Sequence, residues 1–479
     1  MSKFFVEGEK KVRPGGYKRY TTDDTGAVVG AIDGVCACVF TADWGSGNVV
    51  AINKGDYRNQ LKKAYGKAPK ILTAMMEAGL TTLYCVRANV GEGDTGATLN
   101  LTGTTAKDAE ADEVTLCEKY PGKLDMSVTV RSSVSNPNKK ELLVFCGSEV
   151  LETISFDAAT DEIDECDSLA EAIDENSSYI IMSNYSSSTN RIHMFTNVSN
   201  SKFDEGEVTA SSTEKYSAAI DKLAPYDING IAIDSVETTY TALIRAFLDN
   251  TFESGKKTMT VLGVKRGTGG MKLEDVFTYA KSINSPFVVV QGDTYLDETG
   301  KEVDASIAAA KTLAGFCSMS TNQSITHNVV SGAAGLPRDY TDYEYEQAIN
   351  AGVLMLSKSP DGSVWYDSGI NTLTKLGREQ DAGWKKIRRT RTRLELWDRM
   401  DRTLDPLVGQ ITNDEIGIAN VIQLGQRVIE AMVSERKLRD GEFTLNEDKG
   451  YAADYAYFDI ATQDLDSLEY IYQTYHFSY

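Results

Sequence analysis

Between residues 228 and 315 the chain alternates short apolar, β-branched runs with amphipathic stretches, and the runs recur about every 29 residues. Residues 228–233, 259–264 and 287–291 read as strands, and 236–251, 273–283 and 304–315 as helices. In the first helix Tyr240, Leu243, Ile244, Phe247 and Leu248 fall at the i, i+3, i+4, i+7, i+8 spacing of one apolar face. A strand that must return parallel to its neighbour needs a crossover, and a helix supplies it. The rhythm therefore predicts an α/β fold: a parallel sheet covered by helices.

The same pattern begins earlier. Residues 34–41 and 82–88 read as strands, and 57–78 as helix interrupted at 66–69. Between 97 and 207 the character changes to short alternating runs separated by turns, with one acidic helical stretch near 168–174, which predicts a β-sandwich inserted into the α/β core. Past 335 a helix over 343–351, a strand pair at 352–355 and 363–366, and two long helices near 381–404 and 413–438 are expected. With 479 residues, several domains are needed. The reading is a 1–22 N-terminal arm, a core from 23–96 and 208–335, an insert at 97–207, a C-terminal domain at 336–464 and a strand arm at 465–479.

Charge narrows the function. The chain carries a formal −21, so as a whole it repels nucleic acid and acidic membranes. The insert holds 21 acidic against 8 basic residues, a net of −13. Nowhere are there about 18 consecutive uncharged apolar residues, so no membrane span is expected. Residues 1–20 are polar and basic without an apolar signal core, which implies a chain kept in a cytoplasm. The seven cysteines (Cys36, Cys38, Cys85, Cys117, Cys146, Cys166 and Cys317) are odd in number and contain no CxxC. They read as reduced thiols, and Cys36 and Cys38 as small core residues on one strand face.

Chemistry is sparse. The histidines are His193, His327 and His476, with no pair at metal-ligand spacing. There is no GxSxG, and a triad around Ser324 and His327 is disfavoured. Gly267–Gly270 follows a strand and precedes a helix but matches no phosphate-binding pattern, so a flexible βα loop is the reading. Asp234 sits where an α/β ligand site would lie, though an N-cap for the next helix explains it better. The carboxylate pairs Asp161–Glu162 and Asp164–Glu165 read as solvated surface. No catalytic, cofactor-binding or metal site is assigned.

Two features stand out. Lys385, Lys386, Arg388, Arg389, Arg391 and Arg393 place six cations within nine residues of an acidic protein. They lie on an expected helix whose apolar side is Trp384, Ile387, Leu394, Trp397 and Met400. An electropositive contact for an acidic partner is preferred to a solvated helix face. The second is the aromatic C-terminus, where Leu468, Tyr470 and Tyr472 alternate with Ile471, Tyr475, Phe477 and Tyr479. A free strand apolar on both faces would aggregate. It is expected to pair either within its own chain or in a neighbouring subunit's sheet.

With these segments in view, the sequence resembles the tail sheath family of contractile phage tails and related bacteriocins. The resemblance rests on Arg13-Pro14-Gly15-Gly16-Tyr17, Thr41–Asn48 with Ser46 where proline is usual, Leu83–Arg87, Tyr345-Glu346 to Gly352-Val353, Ile370–Thr374 and Lys385–Thr392, in order along nearly the whole chain. It implies a subtilisin-like α/β core without a triad, the inserted sandwich, an α+β C-terminal domain and extended terminal arms. It also implies a structural subunit of six-fold rings stacked helically around a tail tube, which contract to drive the tube through a cell envelope. Its partners would be other copies of itself, the tube protein, and baseplate and terminator proteins, with no nucleic acid, cofactor or membrane insertion. Assembly would occur in a bacterial host cytoplasm, with release on lysis. By the same resemblance the six basic residues would face the tube, the acidic insert would face outward, and Tyr470, Ile471, Tyr472, Tyr475 and Phe477 would form an inter-subunit strand. The alternatives are an α/β enzyme working near Asp234 and Gly267–Gly270, and a soluble adaptor that binds an acidic partner.

Overall fold

The computed structural model describes residues 30 and 33–478, other than 92, 106–110, 123, 184–191, 205 and 268, together with the paired strands Lys3–Phe4 and Tyr17–Lys18. The remainder of the arm expected over 1–22, including Arg13 to Gly16, lies outside the described residues, as do Thr268 and Tyr479. The chain forms two compact units, one of residues 32–395 and 465–479, the other of 1–31 and 396–464.

The larger unit is organised by a mostly parallel sheet. Val35–Phe40 lies between Gly230–Ile233 and Thr82–Arg87, parallel to both. A parallel bridge from Gly230 to Met259 carries the sheet on to Thr260–Gly263, Val288–Gln291 and Val353–Leu354. At the opposite edge Val50–Asn53 runs antiparallel to Thr82–Arg87. Alternation along each strand divides the side chains between two cores. Cys36, Cys38 and Phe40 join Leu61, Met75 and Leu313 of the helices Tyr57–Tyr65, Lys70–Glu77 and Ala305–Ser318. Ala37 and Val39 join Ile220, Ile244, Val276 and Ala348 of the helices Thr213–Asp221, Thr238–Glu253, Leu273–Ile283 and Asp342–Ala351. The α/β rhythm of the sequence is thus present, with helix ends shifted by no more than three residues. The expected strand pair differs: Leu356–Lys358 forms the hairpin with Val364–Tyr366, while Val353–Leu354 extends the parallel sheet. Gly352, at φ +73°, ends the preceding helix and lets the chain turn directly into that strand.

Residues 97–207 build two four-stranded antiparallel sheets. One runs Glu149–Asp157, Lys139–Cys146, Met126–Ser132, Val198–Lys202; the other Ile180–Ser183, Ala111–Glu118, Thr98–Thr105, Ile192–Phe195. Leu101, Leu116, Val128, Val144 and Phe156 share a core with Leu169 and Ile173 of the helix Glu165–Asn176. One expectation fails here: Asp164 and Glu165 are not solvated surface. Glu165 is buried, takes Lys140 Nζ at 2.9 Å and accepts the Phe195 amide at 2.6 Å. Asp164 pairs with His193 Nδ1 at 2.8 Å. Burying a lysine demands such a partner.

The insert meets the core at a tight crossing. Trp44, fully buried, packs among sandwich residues, edge-on to Tyr120 at 5.2 Å and stacked with Tyr179 at 5.7 Å. Arg87, at the end of a core strand, donates Nη1 to Gly45 O at 2.9 Å and Pro121 O at 2.6 Å. A Cβ on Gly206 would lie 2.2 Å from Gly122 O and 2.7 Å from Thr95 O, so backbone segments from both ends of the insert close on a position only glycine can fill. Gly206→Ala is expected to cost about 1–3 kcal/mol, since backbone must move. An unchanged urea midpoint for the variant would refute this.

In the smaller unit the second half of the helix Ile387–Leu404 shares a core with Glu415–Ser434 and the antiparallel pair Leu438–Leu445 and Phe458–Asp464, through Leu396, Met400, Val428, Ile429, Met432 and Phe443. Arg399, almost fully buried, holds Glu435 with both Nη groups, at 2.9 and 2.7 Å. This contact, together with Lys437, keeps the Glu435 carboxyl below its ordinary range.

Candidate assembly surfaces

The places where α/β chemistry would sit are occupied structurally. Asp234 does not cap the next helix, whose N-cap residue is Glu237. Its carboxylate instead accepts the Thr41 amide at 2.7 Å, the Thr41 hydroxyl at 2.8 Å and the Tyr216 hydroxyl at 2.6 Å, tying the end of one core strand to a covering helix. The sequence favoured a cap because aspartate so often serves as one; its true donors lie 193 and 18 residues away. In the glycine loop the Gly270 amide donates to Gly267 O at 3.0 Å and the Met271 amide to Lys265 O at 2.9 Å, so these N–H groups serve the loop itself. His327 stacks on Trp365 at 4.0 Å between ring centroids. Among the described residues no cluster of His, Cys, Asp and Glu could hold a metal, and no helix is long and apolar enough to cross a membrane.

The basic segment begins with a 3-10 turn, Ala382–Lys385, and continues into the helix Ile387–Leu404. Its six cations are not a solvent-exposed row. Arg388 and Arg391 are both buried, at 7% exposure. Arg391 Nη2 meets Asp33 at 3.3 Å and Met319 O at 2.7 Å. Arg393 lies over the Trp384 ring and makes a two-pronged bond to Asp381 at 2.8 and 2.9 Å, which lowers the Asp381 pKa. Arg389 packs against Gly383, leaving no room there for a Cβ. Lys386 Nζ reaches Asp466 at 2.8 Å and Glu469 at 2.9 Å. Burial opposes its charge, but the two carboxylates outweigh burial and raise its pKa. Lys385 is half-buried.

The C-terminal tail is the reverse of a folded strand. Among the described residues, 465–478 pair with no strand of the chain. Leu468, Tyr470, Ile471, Tyr472, Tyr475 and Phe477 are all exposed, Tyr472 and Phe477 above 90%. Glu469, between two exposed apolar neighbours, has its side chain only 12% exposed. Sequence reasoning missed Asp466 and Glu469, although acids at the head of an aromatic run were the available signal.

Among the described residues, four of the segments behind the family resemblance meet in pairs. Arg87 joins Gly45, as above. Asn371 donates Nδ2 to Trp384 O at 2.7 Å and Pro286 O at 3.0 Å, and its amide donates to Lys385 O at 3.0 Å. Thr372 binds Ser285 O through its hydroxyl at 3.0 Å. These side chains staple the C-terminal segments to the parallel sheet.

Residues 209–372 match the phage tail sheath protein central domain. No curated protein matches the sequence. The fold is similar to that of the sheath tail protein of Desulfitobacterium hafniense, at 15% identity and a TM-score of 0.69 over 94% of this chain and 100% of that one. It is likewise similar to the sheath tail protein of Listeria innocua, at 15% identity and a TM-score of 0.63 over 92% and 97%. A sheath complex of an extracellular contractile injection system, solved in its contracted state, matches at 11% identity and a TM-score of 0.53 over 98% of each chain. Residues 209–372 thus carry a phage tail sheath central domain, within a fold similar to that of solved sheath proteins.

Proposed function

We propose that the chain is the repeating subunit of a contractile sheath, stacked as six-fold rings around a tail tube, and that its C-terminal tail adds a strand to a neighbouring copy. The exposed, unpaired aromatic tail is the observation that carries this reading. Six large apolar side chains held in water are unfavourable by roughly 1.5–3 kcal/mol each relative to burial, so the tail has much to gain from a partner. The unpaired edges of Leu438–Leu445 and Phe458–Asp464, a two-stranded pair among the described residues, are suitable acceptors on that copy. Strand addition supplies backbone hydrogen bonds worth about 1 kcal/mol apiece. Such contacts can survive contraction while weaker ones break.

Tube contact through Lys385, Lys386, Arg388, Arg389, Arg391 and Arg393 is a narrower proposal. With Arg388 and Arg391 buried, Lys386 committed to the tail and Arg393 to Asp381, an acidic tube surface would be met through Lys385 and Arg389. Partly exposed charge pairs contribute about 0–1 kcal/mol each, which suits a contact that must release. Assembly in the host cytoplasm and attachment to baseplate and terminator proteins complete the proposal.

Negative-stain electron microscopy of the purified chain at rising concentration tests it. Stacked rings or hollow tubes are expected. Monomers that persist even on co-expression with the tube protein would refute the sheath-subunit reading.

A further inference from the structure

We infer that Lys386, Glu469 and Asp466 form an anchor that fixes where the C-terminal tail leaves the subunit, so that the strand is presented to its neighbour rather than left to search for it. This rests on the reading of 470–478 as a donated strand.

The tail is sorted in reverse. Its apolar side chains face solvent, and its one flanking glutamate is turned inward. Glu469 accepts Lys386 Nζ at 2.9 Å, the Ser467 hydroxyl at 3.1 Å and the Thr326 hydroxyl at 3.4 Å. Asp466 takes the same ammonium at 2.8 Å, so two carboxylates three residues apart grip one cation. The socket is itself held. Thr326 Oγ1 accepts the Gly369 amide at 2.9 Å and the Ser324 hydroxyl at 3.0 Å. The backbone of Lys386 bridges Ile370, and its amide donates to Gly383 O at 3.1 Å. The Ile387 amide donates to Gly369 O at 3.0 Å. Charge-assisted hydrogen bonds on a fixed base are stronger and more directional than neutral ones. Among the described residues beyond Glu469 no side chain is held this way: the polar contact there is Tyr475 to Gln473, within the tail.

The arrangement has a clear physical use. A tether pinned at Glu469 samples far less volume than one free from residue 465, which raises its effective concentration at a nearby acceptor. Ordering that has already occurred in the subunit need not be supplied when subunits join. Lys386 is then a positioning residue, acting through the tail and touching no partner.

Hydrogen exchange measured by mass spectrometry on the full-length monomer reads the anchor, and light scattering with electron microscopy reads assembly. Lys386→Gln and, from the tail side, Glu469→Gln are expected to speed amide exchange over 465–470 by about tenfold and to raise the concentration at which sheaths appear by a similar factor. The exchanged pair Lys386→Glu with Glu469→Lys should recover part of both. If neither single variant changes exchange or assembly onset, while removal of 470–479 still blocks assembly, the anchor is overturned and the donated strand stands. If the truncated chain builds normal sheaths, the donated strand falls and the anchor's role with it.

Discussion

Removing residues 470–479 is expected to leave a folded subunit that no longer polymerises. The apolar side chains of this stretch are exposed, and among the described residues it pairs with no strand. Its loss should therefore change unfolding free energy by no more than about 0.5 kcal/mol, the usual scale for surface changes. Assembly is another matter. A strand of several residues adds backbone hydrogen bonds at about 1 kcal/mol each and buries Tyr470, Tyr472, Tyr475 or Phe477, depending on register. Losing all of this in every subunit moves the onset of assembly by several orders of magnitude in concentration, beyond any practical range. Urea unfolding and sedimentation on the same sample separate the two effects. A truncated chain that unfolds early would mean that the tail belongs to the subunit's own core.

The second large effect concerns pH. Glu118 ends a sandwich strand at the crossing with the core and is 4% exposed. Burial raises its carboxyl to about 7, more than the Ala97 amide and the Arg87 charge lower it. The folded state therefore holds this proton more tightly than the unfolded chain does. The contribution to stability is complete below the ordinary glutamate value and is lost as pH rises through 7. Between about pH 4.5 and 7 the stability should fall by close to 1.4 kcal/mol per pH unit from this group, about 3 kcal/mol in all. Glu118→Gln mimics the protonated form. Its stability should exceed that of the parent at pH 8 and converge with it near pH 4.5. The difference between the two denaturation curves isolates Glu118 from other titrating groups. Parallel curves from pH 5 to 8 would sink the assignment.

Much of the fold is legible in the sequence because burial on both faces of a parallel sheet forces continuous apolar runs, as in Phe287 to Gln291. Less was visible where strands are polar. Thr98–Thr105 reads TLNLTGTT and Val198–Lys202 reads VSNSK, and each earns its place by pairing rather than by hydrophobicity. Val50–Asn53 follows a turn-rich stretch and pairs at an edge, where short strands carry little pattern. The basic segment was visible as a charged helix, but its burial and its partners were not. Its partners Asp33, Asp466 and Glu469 lie 358, 80 and 83 residues away, and periodicity carries no information at that range. The aromatic tail was legible as unusual, and its exposure gives that observation its meaning.

The sandwich has a single doorway. Thr95 and Glu207 form an antiparallel bridge, the Thr95 amide donating to Glu207 O at 3.0 Å, and Asp94 accepts the Thr209 amide at 2.9 Å. Chain that leaves the core here returns beside its point of departure after more than a hundred residues, having closed its own core. Neighbouring entry and exit points make a segment exchangeable, because its replacement need only bring two ends together. A short turn joining Thr95 to Glu207, or a foreign domain spliced between them, would leave the strand pairing of the parallel sheet in place but would uncover Trp44 and take Pro121 O from Arg87, so a replacement must cover both. The doorway is thus a ready attachment point for a foreign domain, one copy per chain.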